Sequence, residues 1–373
     1  MRVSDTGERH GGNLTAAAAR LGQPPGRLLD ASASLVPFGP PWALRRALLG
    51  ASLGSAVRVY PDRGWQRLRG QLAALHGLEP ADVLPGNGAA ELFTWAGRDA
   101  AAAGLSLVPQ PGFADYSRAL ACWGGRWQGL PLPLTWPEAF PQPFPALPDS
   151  PSPASEAQVL WICNPHNPTG QLWSRHSLEP LLERHRLVVC DEAFLPLVPG
   201  GEAQSLLPLL QRHPNLVVVR SLTKLLACAG LRIGYALGSP ERLRRWAAWR
   251  DPWPVNGLAL AAVEQLLADP SALAGWTLRV QGWLAREQPW LRRQLGRWGQ
   301  FTAMPSAANF LLLRGSGPLV ELRQAMERRH GILLRDCRSF EGLGASWLRL
   351  GLQDRRGHRR LLAALAQELP PTD

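Results

Sequence analysis

The stretch LVVVRSLTK, residues 216–224, is the most informative part of this chain, because it joins an apolar run to the only lysine in the sequence. LVVVR is short, continuous and rich in β-branched residues, which predicts a buried strand. The chain has 40 Lys and Arg residues together, and all except Lys224 are arginine. A guanidinium stays protonated and cannot attack a carbonyl, whereas a lysine amine can. Lys224 is therefore expected to be a Schiff-base lysine; the alternative is a stray surface lysine.

Similar apolar runs precede and follow this stretch. VLWIC at 159–163, LVVC at 187–190 and RIGYAL at 232–237 are each bounded by Pro, Asn, Asp or Gly and predict buried strands. Between them, SLEPLLERH at 177–185 has the pattern of an amphipathic helix. This alternation predicts an α/β domain with a largely parallel sheet, in which functional residues cluster just after strand ends.

A short polar motif follows each of three predicted strands. NPHNPTG at 164–170 follows the first, DEAF at 191–194 follows the second, and SLTK at 221–224 follows the third. Taken singly, each motif is common, since Asn-Pro marks turns and Ser and Asp often begin helices. Their succession on consecutive strand ends, with the sole lysine among them, indicates one shared site.

The residues of these motifs match the needs of pyridoxal phosphate chemistry. The aldehyde needs a lysine, and the ring nitrogen needs a carboxylate that keeps it protonated. The phenolic oxygen needs a hydrogen-bond donor, and the phosphate needs cations and hydroxyls. Lys224, Asp191, Asn167, Ser221 and Arg232 meet these needs in turn.

On these motifs the chain resembles the fold-type I pyridoxal-phosphate enzymes, the class I/II aminotransferase superfamily, from about His10 to Leu365. The resemblance implies a large α/β cofactor domain with a mainly parallel sheet, expected at 46–245. It also implies a smaller α+β domain, expected from 1–45 together with 246–373. It further implies a homodimer with active sites at the interface.

The resemblance assigns further roles to residues outside the three motifs. Gly88, Ala89 and Ala90 correspond to the helix start that holds the cofactor phosphate, and the two alanines leave only backbone donors there. Phe113 corresponds to the aromatic residue that stacks on the ring, and Tyr60 to the tyrosine that reaches the partner subunit's phosphate. For both aromatic residues the alternative is ordinary packing.

The N-terminal part narrows the resemblance. HGGN at 10–13, LDASAS at 29–34 and PFGPP at 37–41 look like the threonine-phosphate decarboxylases of cobalamin biosynthesis. Phe194 stands where aminotransferases usually have a tyrosine, so Asn167 is expected to act alone on the phenolic oxygen. The chain departs from that group at LVP, residues 35–37, and at Ser34, which replaces an asparagine.

This resemblance implies decarboxylation of L-threonine O-3-phosphate to (R)-1-amino-2-propanol phosphate. The expected substrate ligands are His10, Ser34, Arg335 and Arg349, with Arg349 on the carboxylate and Arg338 as a further candidate. The alternatives are an exposed histidine on a flexible arm for His10 and a strand-edge ion pair for Arg349.

Two other functions stay open from the sequence. One is an aminotransferase resembling those that act on histidinol phosphate. The other is a non-catalytic, cofactor-binding regulatory domain. Proteins of that kind carry an additional DNA-binding domain, for which the sequence before His10 leaves no room.

Composition limits the class of protein. The chain has 373 residues, 46% hydrophobic and 18% charged, which is typical of a folded protein with a large core. The net charge is +11, but the sequence contains no recognisable nucleic-acid-binding motif, so the charge is more compatible with anionic small substrates.

The cysteines and the N-terminal residues bear on the location of the protein. Five cysteines without paired or metal-ligand spacing predict a reducing cytosol and no metal site. The sequence MRVSDTGERHGGN has no apolar core, which argues against a signal peptide, and no apolar run is long enough to span a membrane.

Overall fold

The computed structural model describes residues 10–147 and 158–369. The signal-peptide prediction rests largely on residues 1–9, which lie outside these ranges. The sequence also predicts a solvated surface loop for the proline-rich segment 130–156, of which Pro148, Pro151 and Pro153 lie outside the described ranges.

The centre of the structure is a seven-stranded sheet with the strand order β2-β8-β7-β6-β5-β3-β4. Six of its strands are almost completely buried, as expected for a sheet covered on both faces, whereas the edge strand β4 is only partly buried. β8 pairs antiparallel with both of its neighbours, β2 and β7, and the other four pairings in this sheet are parallel. The strands are β2 (Val83–Gly86), β3 (Ser106–Gln110), β4 (Trp127–Pro131), β5 (Val159–Cys163), β6 (Leu187–Asp191), β7 (Leu216–Ser221) and β8 (Gly234–Gly238).

A second, five-stranded sheet has the order β1-β11-β12-β10-β9 and combines a strand from the N-terminal part with four from the C-terminal part. β1 pairs in parallel with β11, so Leu29–Ala31 of the N-terminal part belong to this sheet. The division of the chain into the two predicted domains stays a prediction. The strands are β1 (Leu29–Ala31), β9 (Phe301–Ala303), β10 (Phe310–Gly315), β11 (Ile332–Asp336) and β12 (Trp347–Gly351).

Helices cover the sheets and connect successive strands. Their apolar faces join the strands in a continuous core that extends through both sheets. The helices are α1 (Leu14–Leu21), α2 (Trp42–Leu53), α3 (Gln66–His76), α4 (Gly88–Ala103), α5 (Ala114–Ala121), α6 (Arg175–Arg184), α7 (Leu222–Leu225), α8 (Pro240–Trp249), α9 (Gly257–Leu267), α10 (Pro270–Leu295), α11 (Val320–His330) and α12 (Arg355–Glu368).

Two sequence expectations need correction. The strand expected from Arg232 begins only at Gly234, because Arg232 has a φ of 53°, in the left-handed region that does not continue a strand. The proline-rich segment is also not simply a solvated loop. Within its described part Phe144 and Leu147 are buried, and Gln142 exchanges backbone hydrogen bonds with Leu172 and Ser174. Proline prevents a long regular element there, but it does not prevent apolar side chains from packing.

The cysteines are all free thiols, and four of the five are buried. Of the helices in the described ranges, none combines the length and the apolar character required to cross a bilayer. Those ranges also contain no group of three His, Cys, Asp or Glu side chains arranged to hold a metal ion.

Candidate active site

The carboxyl ends of β5, β6 and β7 meet at one pocket of about 230 Å³. Parallel strands place the residues that follow them at the same sheet edge, which is why three sequence motifs converge there. The five-stranded sheet and the segment around His10 complete the wall. The pocket is lined by twelve of the predicted residues: His10, Ser34, Ala89, Ala90, Phe113, Asn167, Asp191, Ser221, Lys224, Arg232, Arg335 and Arg349.

Lys224 stands in the short helix α7, directly beyond the end of β7. Burial lowers the pKa of its amine to about 8, and the positive charges of Arg349 and Arg232 act in the same direction, whereas Asp191 opposes them. Its Nζ lies 5.6 Å from the ring centre of Phe194. A substantial fraction of the amine is therefore neutral near pH 8, as a nucleophilic lysine requires.

Asp191 is the last residue of β6 and is 5% exposed. Its Oδ2 accepts a hydrogen bond from the Tyr116 hydroxyl at 2.6 Å, and its Oδ1 accepts one from the backbone N–H of Ala193 at 2.9 Å. Burial raises the pKa of Asp191 to about 6, although both hydrogen bonds and Lys224 lower it. A carboxylate in this position can hold a proton on a neighbouring ring nitrogen.

Asn167 and Arg349 meet from different sheets. Arg349 belongs to β12, and its Nη1 donates to the Oδ1 of Asn167 at 2.5 Å, while its Nη2 donates to the backbone carbonyl of Ser32 at 3.2 Å. With Oδ1 accepting this bond, the amide nitrogen of Asn167 is available as a donor. The contact therefore selects the orientation that a phenolic oxygen needs.

Arg349 is 6% exposed and lies between two aromatic rings, 5.0 Å from the ring centre of Phe310 and 6.0 Å from that of Phe340. Arg335, on the neighbouring strand β11, is the residue directly opposite Arg349 in the strand pairing. Burial, together with the positive charge of Arg335, lowers the pKa of Arg349 to about 10. The Nε of Arg349 makes no hydrogen bond within the described ranges. Two buried arginines paired across neighbouring strands, one with an unsatisfied donor, are suited to binding an anion.

The start of α4 and the end of β7 form a second polar region. Gly88 has a φ of 72°, and a Cβ added there would lie 2.5 Å from Nη2 of Arg232. The positive φ favours glycine here, and the missing Cβ leaves room for the Arg232 guanidinium beside the start of this helix. The hydroxyls of Ser221 and Thr223 lie 2.8 Å apart and share a hydrogen bond. Hydroxyls, a guanidinium and a helix start together are suited to a phosphate group.

The segment around His10 packs against the loop after β1. A Cβ on Gly11 would lie 2.3 Å from the carbonyl oxygen of Ser32, so glycine is required for this approach. The His10 ring contacts Phe113 edge to face, with centres 5.7 Å apart. The Oγ of Ser34 is buried and has no hydrogen-bond partner in the described ranges. His10 and Ser34 therefore both border the pocket with polar atoms.

Three residues named from the sequence do not line this pocket. Gly88 lies just behind Arg232, as its close approach indicates. Tyr60 is 77% exposed and stacks on Trp253, with ring centres 4.4 Å apart. Its expected contact with a partner subunit stays a prediction. Arg338 forms an ion pair with Asp336 and lines a neighbouring cavity.

Sequence reasoning missed several residues that border the pocket or contact its side chains. Thr223 lies inside the quoted SLTK motif, yet its hydroxyl contacts Ser221. Tyr116 lies in the first turn of α5, three residues after Phe113, which precedes the helix, and the two rings meet edge to face with centres 5.6 Å apart. Phe340 comes from the 337–340 turn after β11, which carries no recognisable motif.

The donor set fits pyridoxal phosphate. An amine with a lowered pKa, a buried carboxylate and a correctly oriented amide surround one pocket, together with a polar region suited to phosphate. Lys224 would hold the aldehyde carbon, Asp191 the ring nitrogen and Asn167 the phenolic oxygen. Ser221, Arg232 and the start of α4 would hold the phosphate, and Phe113 would cover the ring.

Comparison with known proteins agrees with this arrangement. The threonine-phosphate decarboxylase of Salmonella typhimurium is 34% identical, and the alignment covers 96% of each chain. The histidinol-phosphate aminotransferase of Symbiobacterium thermophilum is 33% identical over 89% of this chain and 88% of its own. The crystal structure of L-threonine-O-3-phosphate decarboxylase from Porphyromonas gingivalis superimposes with a TM-score of 0.77 at 26% identity, covering 91% of this chain and 99% of that one.

These similarities extend over nearly the whole molecule and establish the fold-type I architecture. The family model described as aminotransferase class I and II matches residues 29–365. The chain belongs to the class I and II aminotransferase family.

Proposed function

We propose that this protein decarboxylates L-threonine O-3-phosphate to (R)-1-amino-2-propanol phosphate, using pyridoxal 5′-phosphate, in the biosynthesis of cobalamin. In this reaction the bond between Cα and the carboxyl carbon breaks, and its electron pair stays on Cα. Carbon dioxide leaves and a proton takes its place. The similarity to a threonine-phosphate decarboxylase along 96% of the chain supports this assignment.

The observation that carries the proposal is the opposed pair Arg335 and Arg349, which border the pocket together with His10. L-Threonine O-3-phosphate has a carboxylate and a phosphate, so it offers an anionic group to each arginine. Histidinol phosphate has only one anionic group. The arrangement therefore favours a phosphorylated amino acid as the substrate.

The bound cofactor supplies an electron sink for the pair left on Cα. Asp191 keeps the ring nitrogen protonated, which this electron sink requires. Arg349 holds the substrate carboxylate, with its Nε as an unused donor. Lys224 carries the proton that is delivered to Cα, and its lowered pKa permits both release and uptake near neutral pH.

Phe194 favours the same chemistry. Its ring packs edge to face on Phe310, with centres 5.3 Å apart, and it has no hydroxyl. Asn167 is consequently the side chain left to donate to the phenolic oxygen, as the sequence predicts. Its orientation by Arg349 links the binding of the substrate carboxylate to the position of the cofactor.

The experiment is to mix the cofactor-loaded protein with L-threonine O-3-phosphate labelled with carbon-13 in the carboxyl group. The proposal predicts labelled carbon dioxide in many-fold excess over enzyme, with the cofactor still in its aldehyde oxidation state. If no labelled carbon dioxide forms, the label stays in an oxo acid and pyridoxamine phosphate accumulates, the protein would instead be an aminotransferase. That outcome would favour the alternative function for which the Symbiobacterium relative is named.

We further propose that the protein is a homodimer in which Tyr60 reaches the partner subunit's active site. Six large apolar side chains are exposed within residues 42–60, a concentration that is unusual for the surface of a monomer. This apolar patch consists of Trp42, Leu49, Leu53, Val57, Val59 and Tyr60. A partner subunit that covered the patch would therefore contact Tyr60.

We also propose a cytosolic location. Five free thiols, four of them buried in the core, are compatible with a reducing compartment.

A further inference from the structure

Tyr116 takes no direct part in the proposed reaction, yet it contacts Asp191, the residue expected to hold the cofactor ring nitrogen. Its hydroxyl donates to Oδ2 of Asp191 at 2.6 Å, and both side chains are at most 5% exposed. A bond this short, from a neutral donor to a buried carboxylate, belongs to the stronger class of protein hydrogen bonds.

We propose that Tyr116 is a positioning residue that keeps Asp191 ionised and correctly oriented toward the cofactor ring nitrogen, and that it joins this carboxylate to the ring-stacking Phe113. The proposal rests on the proposed function only in assuming that the cofactor binds in this pocket. It names no catalytic role for Tyr116 itself.

The hydrogen bonds of Asp191 explain why Tyr116 matters. Oδ1 is bonded to the backbone N–H of Ala193, which belongs to the same turn and cannot be removed by a side-chain change. Near Oδ2 the other group is the Cys163 thiol, which lies 4.0 Å away and is 3.2 Å from the carbonyl of Pro165. Tyr116 is thus the one side chain in the described ranges that gives Asp191 a short hydrogen bond.

The charges around Asp191 do not replace this bond. Lys224 favours the ionised carboxylate, but Asp115 opposes it, and burial opposes it most strongly. The Cys163 thiol lies beside this carboxylate, whereas the Cys190 thiol lies beside Glu192, and burial keeps both thiols neutral by raising their pKa. Loss of the Tyr116 hydroxyl would therefore raise the pKa of Asp191 above its present value of about 6.

The ring of Tyr116 is fixed by its neighbours, so the hydroxyl has little freedom. It stacks on Trp161 with centres 5.3 Å apart and meets Phe93 edge to face at 5.2 Å. It also meets Phe113 edge to face at 5.6 Å. Phe113 lines the pocket and is expected to stack on the cofactor ring. One packed aromatic cluster therefore connects Phe113 with Asp191, the expected partner of the cofactor ring nitrogen.

The chain has only three tyrosines, which makes the proposal directly measurable. Protein labelled with carbon-13 at tyrosine Cζ gives one signal each for Tyr60, Tyr116 and Tyr235, assigned from the single Tyr→Phe variants. We expect the Tyr116 signal of the cofactor-free protein to shift as the pH passes through about 6, because Asp191 is titrated there. We also expect it to shift when cofactor is added.

The variant Tyr116→Phe keeps the ring and removes only the hydroxyl. Its cofactor dissociation constant should rise about tenfold or more, as loss of a hydrogen bond to a charged group predicts. The acid limb of its pH–activity profile should also move to higher pH. The matched control is Tyr235→Phe, since Tyr235 is equally buried and its hydroxyl contacts His76, away from the pocket.

Two results would overturn the proposal. One is a Tyr116 chemical shift that changes neither with pH near 6 nor on addition of cofactor. The other is a Tyr116→Phe variant whose cofactor dissociation constant and acid limb of the pH–activity profile match those of Tyr235→Phe. The first result is read on the natural protein, and Tyr60→Phe and Tyr235→Phe serve only to assign the Tyr116 signal by elimination. Cofactor affinity and NMR shifts need no substrate. They therefore separate failure of this proposal from failure of the decarboxylase assignment.

Discussion

Arg349 donates a hydrogen bond of 2.5 Å to Asn167 and thereby joins the five-stranded sheet to the seven-stranded one inside the pocket. Asn167 follows β5 of the central sheet, whereas Arg349 lies in β12 of the other sheet. The two side chains are 182 positions apart in sequence. A residue expected to bind substrate thus orients a residue expected to bind cofactor.

The first prediction concerns this contact. Arg349→Lys keeps the charge but loses the planar fork that can bind a carboxylate with two parallel bonds. We expect kcat/KM for the phosphorylated amino acid to fall about tenfold to a hundredfold, mainly through KM, as loss of one charged hydrogen bond implies. Steady-state kinetics measures this, with Arg314→Lys on the neighbouring strand β10 as the control. If kcat/KM is the same in both variants, Arg349 does not bind the substrate.

The second prediction concerns the covalent role of Lys224. Lys224→Arg keeps a positive charge but cannot form a covalent bond with the cofactor aldehyde. Treatment with borohydride followed by peptide mass spectrometry should find the reduced cofactor on Lys224 of the natural protein and no covalent cofactor in the variant. Turnover should fall by at least about 10²–10⁴-fold, the usual contribution of a proton-transfer group. Cofactor attached at any other residue of the natural protein would refute this role.

The third prediction is the pH dependence of cofactor capture. The Lys224 amine must be neutral to attack, and its pKa is lowered to about 8. A lysine with this pKa is mostly protonated below pH 8 and mostly neutral above it. The rate of cofactor uptake by the cofactor-free protein should therefore rise with pH and level off above about 8, when followed by absorbance in a stopped-flow instrument. A rate that continues to rise beyond pH 10, the range of an ordinary lysine, would contradict a lowered pKa.

The fourth prediction is a gain of affinity at the start of α4. Ala90 borders the pocket where a phosphate is expected, and it offers no side-chain donor. Ala90→Ser should lower the cofactor dissociation constant about threefold to tenfold, the effect of one added hydrogen bond. Ala103→Ser, at the other end of the same helix, is the control for effects on helix stability. An unchanged affinity would mean that the phosphate does not reach this helix start.

The fifth prediction tests the apolar patch of residues 42–60. Leu53 is 81% exposed in the single chain, and Leu53→Glu would place a charge in the proposed dimer interface. We expect light scattering to give the mass of a dimer for the natural protein and of a monomer for this variant. Leu278→Glu changes an equally apolar residue that is 68% exposed elsewhere, on α10, and should remain dimeric. A natural protein that is monomeric at micromolar concentration would refute the dimer.

The sequence was sufficient to predict the part of the site that consists of strand ends. Lys224, Asp191 and Asn167 converge because parallel strands deliver successive motifs to one sheet edge, a rule that can be applied without coordinates. The strand that contains Gly234 begins two residues later than the sequence predicts, because the amino-acid sequence does not reveal the left-handed backbone conformation of Arg232.

Contacts between segments that are distant in the chain could not be predicted from the sequence. No local pattern links Arg349 to Asn167, and the buried partner of Tyr116 is 75 positions away. Similarly, the buried apolar side chains of the proline-rich segment, Phe144 and Leu147, depend on tertiary packing that composition does not encode. These contacts determine orientation and pKa, so they decide how the predicted residues work together.

The most direct test of the account is the mass of the product formed by the cofactor-loaded protein from L-threonine O-3-phosphate in deuterated water. The account predicts 1-amino-2-propanol phosphate with one deuterium bound to carbon, formed over many turnovers, because a solvent-derived proton replaces the carboxyl group at Cα. An oxo acid that retains all the carbon atoms of the substrate would contradict it and would make the protein an aminotransferase.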